Sequence, residues 1–245
     1  MLKELDVIDQ EENIFFSTHD ILESIKKLKR GKAYGPDMLA SEHFIHADKK
    51  ISVLLTLVFN SMMLHGYLPS KIMDTILILI VKDKKGNICD VDNYRPIAIT
   101  CASSKIFEIA ILLKFGDNFN TWSNQFGFKK GYGTDMAVYT MKEVITFYAS
   151  QSSPVYACML DSSKAFDKVN HYYLFDKMLK RGVSKLLVRL LLTWYRTQSF
   201  MVRWEGVLSD PFTVTNGVRQ GGVLSPKLFN IFIDDLSELL CDTKI

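Results

Sequence analysis

Cysteine is scarce and scattered: Cys89, Cys101, Cys158 and Cys241 are the four in the chain, and none forms a C-x-x-C pair. That spacing argues against a disulfide framework and against a zinc knuckle, and it points to a reduced, intracellular setting. Long apolar runs are missing as well. The longest, such as Ile76 to Val81, are far shorter than a bilayer span, so no membrane partner is expected. No cationic start leading into an apolar stretch and a small-residue cleavage site opens the chain. Charge of one sign is not in excess, since 30 Lys+Arg against 27 Asp+Glu leave a net +3. Such a balance neither requires nor excludes a polyanionic partner, because the placement of charge decides. Internal repeats and low-complexity segments are absent.

What is there is ordinary for a folded protein. The 245 residues are 48% hydrophobic and 23% charged, which suits one large domain or two small ones and excludes a disordered tail or a collagen-like chain. The first dozen residues are polar and read as a frayed segment. Ser17 to Asp20 offers helix caps, with Ile21, Leu22, Ile25 and Leu28 at helical spacing. A basic cluster from Lys26 to Lys32 and the turn Gly35-Pro36-Asp37 follow. Ile51 to Leu64 reads as a helix burying Leu54, Leu55, Val58, Met62 and Met63, ended by Gly66 and Pro69. Ile76 to Val81 reads as a buried strand, Lys82 to Asn87 as a basic loop, and Ile97 to Thr100 as a short extended stretch. Helices are expected over Ser103 to Phe115, Thr134 to Ala149, Tyr172 to Lys180, Ser184 to Thr197 and Pro226 to Leu240. Strands are expected over Val155 to Leu160, Phe200 to Trp204 and Phe212 to Val214. The pattern mixes α and β in one layered α+β fold.

The chemistry concentrates in Met159 to Asp167. An apolar strand that delivers the Asp161 carboxylate at its end, followed by a tight turn, suits a divalent cation, and the carbonyl of Ser162 adds a second hard oxygen. Taken alone, an aspartate that ends a strand is more often a helix cap or turn former than a metal ligand. Lys82, Lys84 and Lys85 fit a solvated loop tip as well as a phosphate contact.

Asn93-Tyr94-Arg95-Pro96-Ile97, Gln125-Phe126-Gly127-Phe128, Leu160 to Asp167 and Arg219 to Pro226 occur in this order. Together with the Lys-rich stretch before Gly35-Pro36-Asp37, they make the chain resemble the reverse transcriptase of non-LTR (LINE-type) retrotransposons from about Ile21 to Leu240. The resemblance implies a right-hand polymerase: a frayed segment at 1–20, fingers over 21–150 and a partial palm over 151–245, together one reverse transcriptase domain. It implies RNA-directed DNA synthesis on an RNA template from a DNA primer with deoxynucleoside triphosphates, assisted by two Mg²⁺ ions. Asp161 matches the first metal-binding aspartate, with Ser162 beside it. Phe166 matches the bulky residue under the sugar that disfavours a 2′-hydroxyl, though a core aromatic at a helix start explains it equally well. Arg95 matches the fingers arginine on the incoming base and phosphates, a task that suits a planar, always-charged fork. Lys82 matches the fingers lysine on the triphosphate. Gln220 and Gly221 match the motif lining the nucleotide pocket, while Gly222-Val223 departs from the bulkier residues most relatives carry there. Asp167 is expected to be structural.

Phe232-Ile233-Asp234-Asp235 fits the letters of the family's Asp-Asp hairpin but not its periodicity. Leu228, Ile231, Phe232, Leu236, Leu239 and Leu240 recur at helical spacing, with no Gly or Pro between Ile231 and Leu240. The expectation is a helix, with the chain stopping before its second catalytic aspartate and the two-metal site incomplete. A non-enzymatic nucleic-acid-binding remnant of a retroelement, working through Lys26 to Lys32, Lys82 to Lys85 and Lys129-Lys130, is the alternative; its binding would weaken steeply with salt.

Overall fold

Helix α1 (Thr18–Lys26) starts at a capping box: the Asp20 amide donates to Ser17 Oγ, and the Asp20 carboxylate accepts from the Ser17 amide. The computed structural model describes residues 14–242, so the expected frayed dozen lies outside the described residues. Short α2 (Ser41–Ile45) leads to α3 (Lys50–His65), which Gly66 closes in the left-handed conformation. Then come α4 (Ser70–Met73), β1 (Thr75–Val81), β2 (Tyr94–Thr100) and α5 (Ala102–Lys114). After α6 (Thr134–Ser150) the chain runs through α7 (His171–Lys180) and α8 (Lys185–Thr197). It ends in the hairpin of β3 (Phe200–Trp204) and β4 (Val207–Leu208), followed by α9 (Ser225–Asp242).

The sheet has the order β2-β1-β3-β4. β1 and β2 are antiparallel, with Ile80 opposite Arg95 and Leu77 opposite Ala98. β3 joins the other side of β1 in parallel, Thr75 opposite Phe200. Helices build the core beside it: α1 packs on α3 and α5, α8 on α3, and α7 on α8 and α9. Phe107 of α5 sits at the junction. Its ring lies 4.8 Å from Phe59, 5.7 Å from Trp194 and 5.8 Å from Phe16, joining four segments in one apolar cluster.

Three expectations fail here, each for a physical reason. Leu54 points to solvent rather than inward, because α3 is apolar nearly all round and periodicity cannot choose its face; Val53 and Leu57 are exposed beside it. The Phe212 to Val214 strand shrinks to a single bridge between Phe212 and Phe200, and the turn at Glu205-Gly206 instead pairs β3 with β4. The largest correction is Val155 to Leu160, which forms no strand. Tyr156, Met159 and Leu160 are 92%, 81% and 85% exposed. A β-branched run becomes a strand only beside a neighbour that takes up its backbone groups, and no described strand lies next to it. Helix α6, just before it, buries none of its residues.

The expected helix at the C-terminal end is present. Asp234 and Asp235 lie within α9, where Arg181, the residue capping the C-terminal end of α7, pairs with buried Asp234 and Lys177 of α7 meets Asp235 at 2.8 Å. The Asp234 carboxylate also accepts the Trp122 amide at 3.0 Å. Both aspartates therefore fasten α9 to its surroundings.

Candidate nucleotide-binding site

The β1–β2 connection is a braced loop rather than a loose tip. Asn93 donates from its side-chain amide to the Asp83 carbonyl (2.9 Å), and its Oδ1 accepts the Asp83 amide (2.9 Å). The Tyr94 hydroxyl donates to the Ile88 carbonyl at 2.8 Å. Lys82, the first residue past β1, donates from Nζ to the Asp92 carbonyl at 2.8 Å. Arg95 follows on β2, exposed, one residue before Pro96. The Ala98 amide points off the outer edge of β2 to the Gln220 carbonyl (2.7 Å). Pro96, two residues earlier, faces the same way without an N–H, which an edge strand tolerates.

That contact brings the 219–224 loop against β2. Gly221 has a φ of +107°, and a Cβ there would stand 2.9 Å from the Ala98 carbonyl oxygen, so only glycine allows the approach. Gly217 does the same on the other side: at φ +94° its missing Cβ would fall 2.9 Å from the Asp167 carbonyl. Gly217 and Val218 donate to the carbonyls of Val169 and Phe166, each at 2.8 Å. The Gln220 side-chain amide donates to Asp167 Oδ1 at 3.2 Å. Phe166, half-buried, packs on Phe229 (4.8 Å between ring centres) and Phe128 (5.7 Å).

These pieces enclose a cleft of about 960 Å³. Lys82, Arg95, Phe166, Gln220 and Gly221 all line it. Asp161 and Ser162 do not; they sit in the exposed segment just before Lys164. Among the described residues no group of three or more His, Cys, Asp or Glu side chains is placed to hold a metal ion. Asp161 and the Ser162 carbonyl are hard oxygen donors of the type Mg²⁺ takes. They belong to no such group of three among the described residues.

Sequence reasoning missed two charged residues at the cleft, Lys164 and Asp92. Lys164 Nζ bonds Asp92 Oδ1 at 2.6 Å. This hydrogen bond holds the Asp92 carboxyl below its ordinary range and the Lys164 ammonium above its own. The available signal was the place of Lys164, two residues before Phe166 in the same motif. Lys129, expected to offer charge to nucleic acid, instead donates inward to the carbonyls of Thr121 and Trp122.

A family model described as reverse transcriptase (RNA-dependent DNA polymerase) matches residues 81–244. The RNA-directed DNA polymerase from mobile element jockey of Drosophila funebris is 30% identical over 89% of this chain and 24% of its own length. A probable RNA-directed DNA polymerase from transposon BS of Drosophila melanogaster is 27% identical over 89% of this chain and 24% of its own. The Pol polyprotein from a type-1 retrotransposable element R2 of Nasonia vitripennis is 28% identical over 89% of this chain and 20% of its own. The chain thus spans about a quarter of the length of the curated relatives it matches. No described helix is long and apolar enough to cross a membrane.

Proposed function

Because the chain belongs to the reverse transcriptase (RNA-dependent DNA polymerase) family, in its non-LTR (LINE-type) retrotransposon branch, we propose that it supplies the nucleotide-binding part of an RNA-directed DNA polymerase. The cleft takes a deoxynucleoside triphosphate. Residues 21–150 act as fingers and residues 151–245 as part of the palm. The observation that carries this reading is the convergence of Lys82, Arg95, Phe166, Gln220 and Gly221, distant in sequence, on one cleft.

Each residue has a task set by its chemistry. Arg95 and Lys82 bring cationic donors to the triphosphate, with Lys164 close by. Phe166, propped from behind by Phe229, forms the wall on which the sugar rests and against which a 2′-hydroxyl collides. Gly221 lets backbone approach the nucleotide, and Gln220 faces it with an amide steadied by Asp167. Mg²⁺ is the ion the family generally uses, and its part would be to polarise phosphate oxygens. The described residues do not by themselves assemble its site. Asp161 is the carboxylate we assign to that role in the full-length polymerase. The unpaired, apolar Val155 to Leu160 segment supports a palm strand that gains its sheet neighbours, the Asp-Asp hairpin among them, from a longer polypeptide.

The test is titration of the 245-residue chain with a fluorescent deoxynucleoside triphosphate. Binding that weakens at least about tenfold on Arg95→Ala, the loss of one charge-assisted contact, is expected. Undetectable binding, or binding indifferent to Arg95, overturns the reading. Primer extension by this chain alone on an RNA template would contradict the incomplete metal site.

A further inference from the structure

We propose that Glu108 is a positioning residue for the nucleotide cleft: a buried carboxylate that fastens the 219–224 loop and so sets where Gln220 and Gly221 stand. The inference rests on the nucleotide reading for its ligand, but the loop clamp itself is testable without one.

Glu108 lies mid-way along α5 and is fully buried, a place where a charge persists only if paired and hydrogen-bonded. Its two oxygens have separate partners. Oε1 meets the guanidinium of Arg219, which is also buried. Oε2 accepts the backbone amides of Val223 (2.5 Å) and Leu224 (2.9 Å). One side chain therefore grips the loop on both sides of Gln220-Gly221. Between these anchors the chain reverses tightly, the Gly222 amide donating to the Arg219 carbonyl at 3.2 Å. The reversal presents the Gln220 carbonyl to Ala98 and the Gln220 side chain to Asp167. Arg219 is held from the far side by Trp194 of α8, its guanidinium carbon 4.7 Å from the ring centre.

A purely stabilising role fits these contacts poorly. Buried ion pairs seldom repay their desolvation, and Arg219 Nε and Nη1 have no hydrogen-bond partner among the described residues. Half of the bonding capacity of Glu108 goes to loop amides rather than to its ionic partner. Glu108 does not line the cleft, so it acts through the loop and not on the nucleotide.

The experiment compares the 245-residue chain with Glu108→Gln and with Glu108→Gln/Arg219→Gln, by amide hydrogen exchange and by titration with a fluorescent deoxynucleoside triphosphate. In the single variant one amide oxygen must serve either Arg219 or the loop. Exchange at Val223 and Leu224 is expected to accelerate at least about tenfold, and the nucleotide Kd to rise by a similar factor, while the β1–β2 ladder keeps its protection. In the double variant the oxygen at 108 returns to the loop amides and its NH₂ donates to the new amide at 219. Recovery of both signals is expected. A lower unfolding midpoint with unchanged local exchange or unchanged Kd overturns the proposal. Should the single variant fail to fold, the unaltered chain decides, because unprotected Val223 and Leu224 amides in it overturn the clamp. Failure of the unaltered chain to bind nucleotide overturns the ligand assignment, and exchange alone then judges the clamp.

Discussion

Lys164 and Asp92 clasp each other across the mouth of the cleft, Nζ to Oδ1 at 2.6 Å. One belongs to the segment that carries Phe166, the other to the loop between β1 and β2. Asp92 also gives its carbonyl to Lys82. A single acidic residue thus occupies two of the cations that a triphosphate would seek.

Asp92→Asn should therefore tighten nucleotide binding. The neutral side chain competes less well for Lys164, and the expected gain is several-fold, on the order of one exposed charge contact. Both partners are exposed, so the thermal midpoint should stay unchanged. Weaker binding in the variant would show that the clasp shapes the cleft instead of blocking it.

Gly221→Ala tests how closely the loop must approach β2. The added Cβ would lie 2.9 Å from the Ala98 carbonyl oxygen at a φ of +107°. A cost of about 1–3 kcal/mol in denaturant unfolding is expected, together with loss of nucleotide affinity. Gly31, where an added methyl group would meet nothing within 4 Å, serves as control: Gly31→Ala carries only the backbone strain of its φ of +66°.

Phe107→Ala should cost about 3–5 kcal/mol in denaturant unfolding. The ring is fully buried among Phe16, Phe59 and Trp194, and the cavity it leaves is walled by three segments that cannot all close in. A loss under about 1 kcal/mol, within the range of ordinary surface changes, would show that this junction does not hold the helices together.

Stability should fall in mild acid through His171. Burial lowers its imidazole pKa below the ordinary 6.5, partly opposed by the hydrogen bond to the Gly217 carbonyl. The unfolded chain takes up the proton first. Stability is therefore fully present above about 6.5 and declines as the pH drops below that value toward the folded-state pKa. Thermal midpoints between neutral and mildly acidic pH should show this slope, and His171→Gln should flatten it. Equal slopes in the two proteins would remove His171 from the account.

Much of this molecule was legible as pattern. The α8 and α9 stripes, the capped start of α1 and the run that makes β1 are local signals, set by residues a few positions apart. The five cleft residues were found through motif order, a family resemblance, and not through any spacing that predicts their meeting. Glu108 stayed invisible because its partners, Arg219, Val223 and Leu224, are remote in sequence, and a lone acid among Phe107 and Ile109 reads as one polar position on a helix. Val155 to Leu160 misled for the opposite reason. Its composition is that of a strand, but a strand is a property of two segments, and only one is present among the described residues.

The parallel contact of β1 with β3 ties residue 75 to residue 200. As the chain leaves the ribosome, the β1–β2 hairpin is complete long before β3 exists, so one rim of it waits bare while α5 through α8 are made. Such a rim is open to pairing with other nascent copies, and closing it is a slow, long-range event. Expression should accordingly reward low temperature and weak induction, which keep few unfinished copies beside one another while that rim is bare.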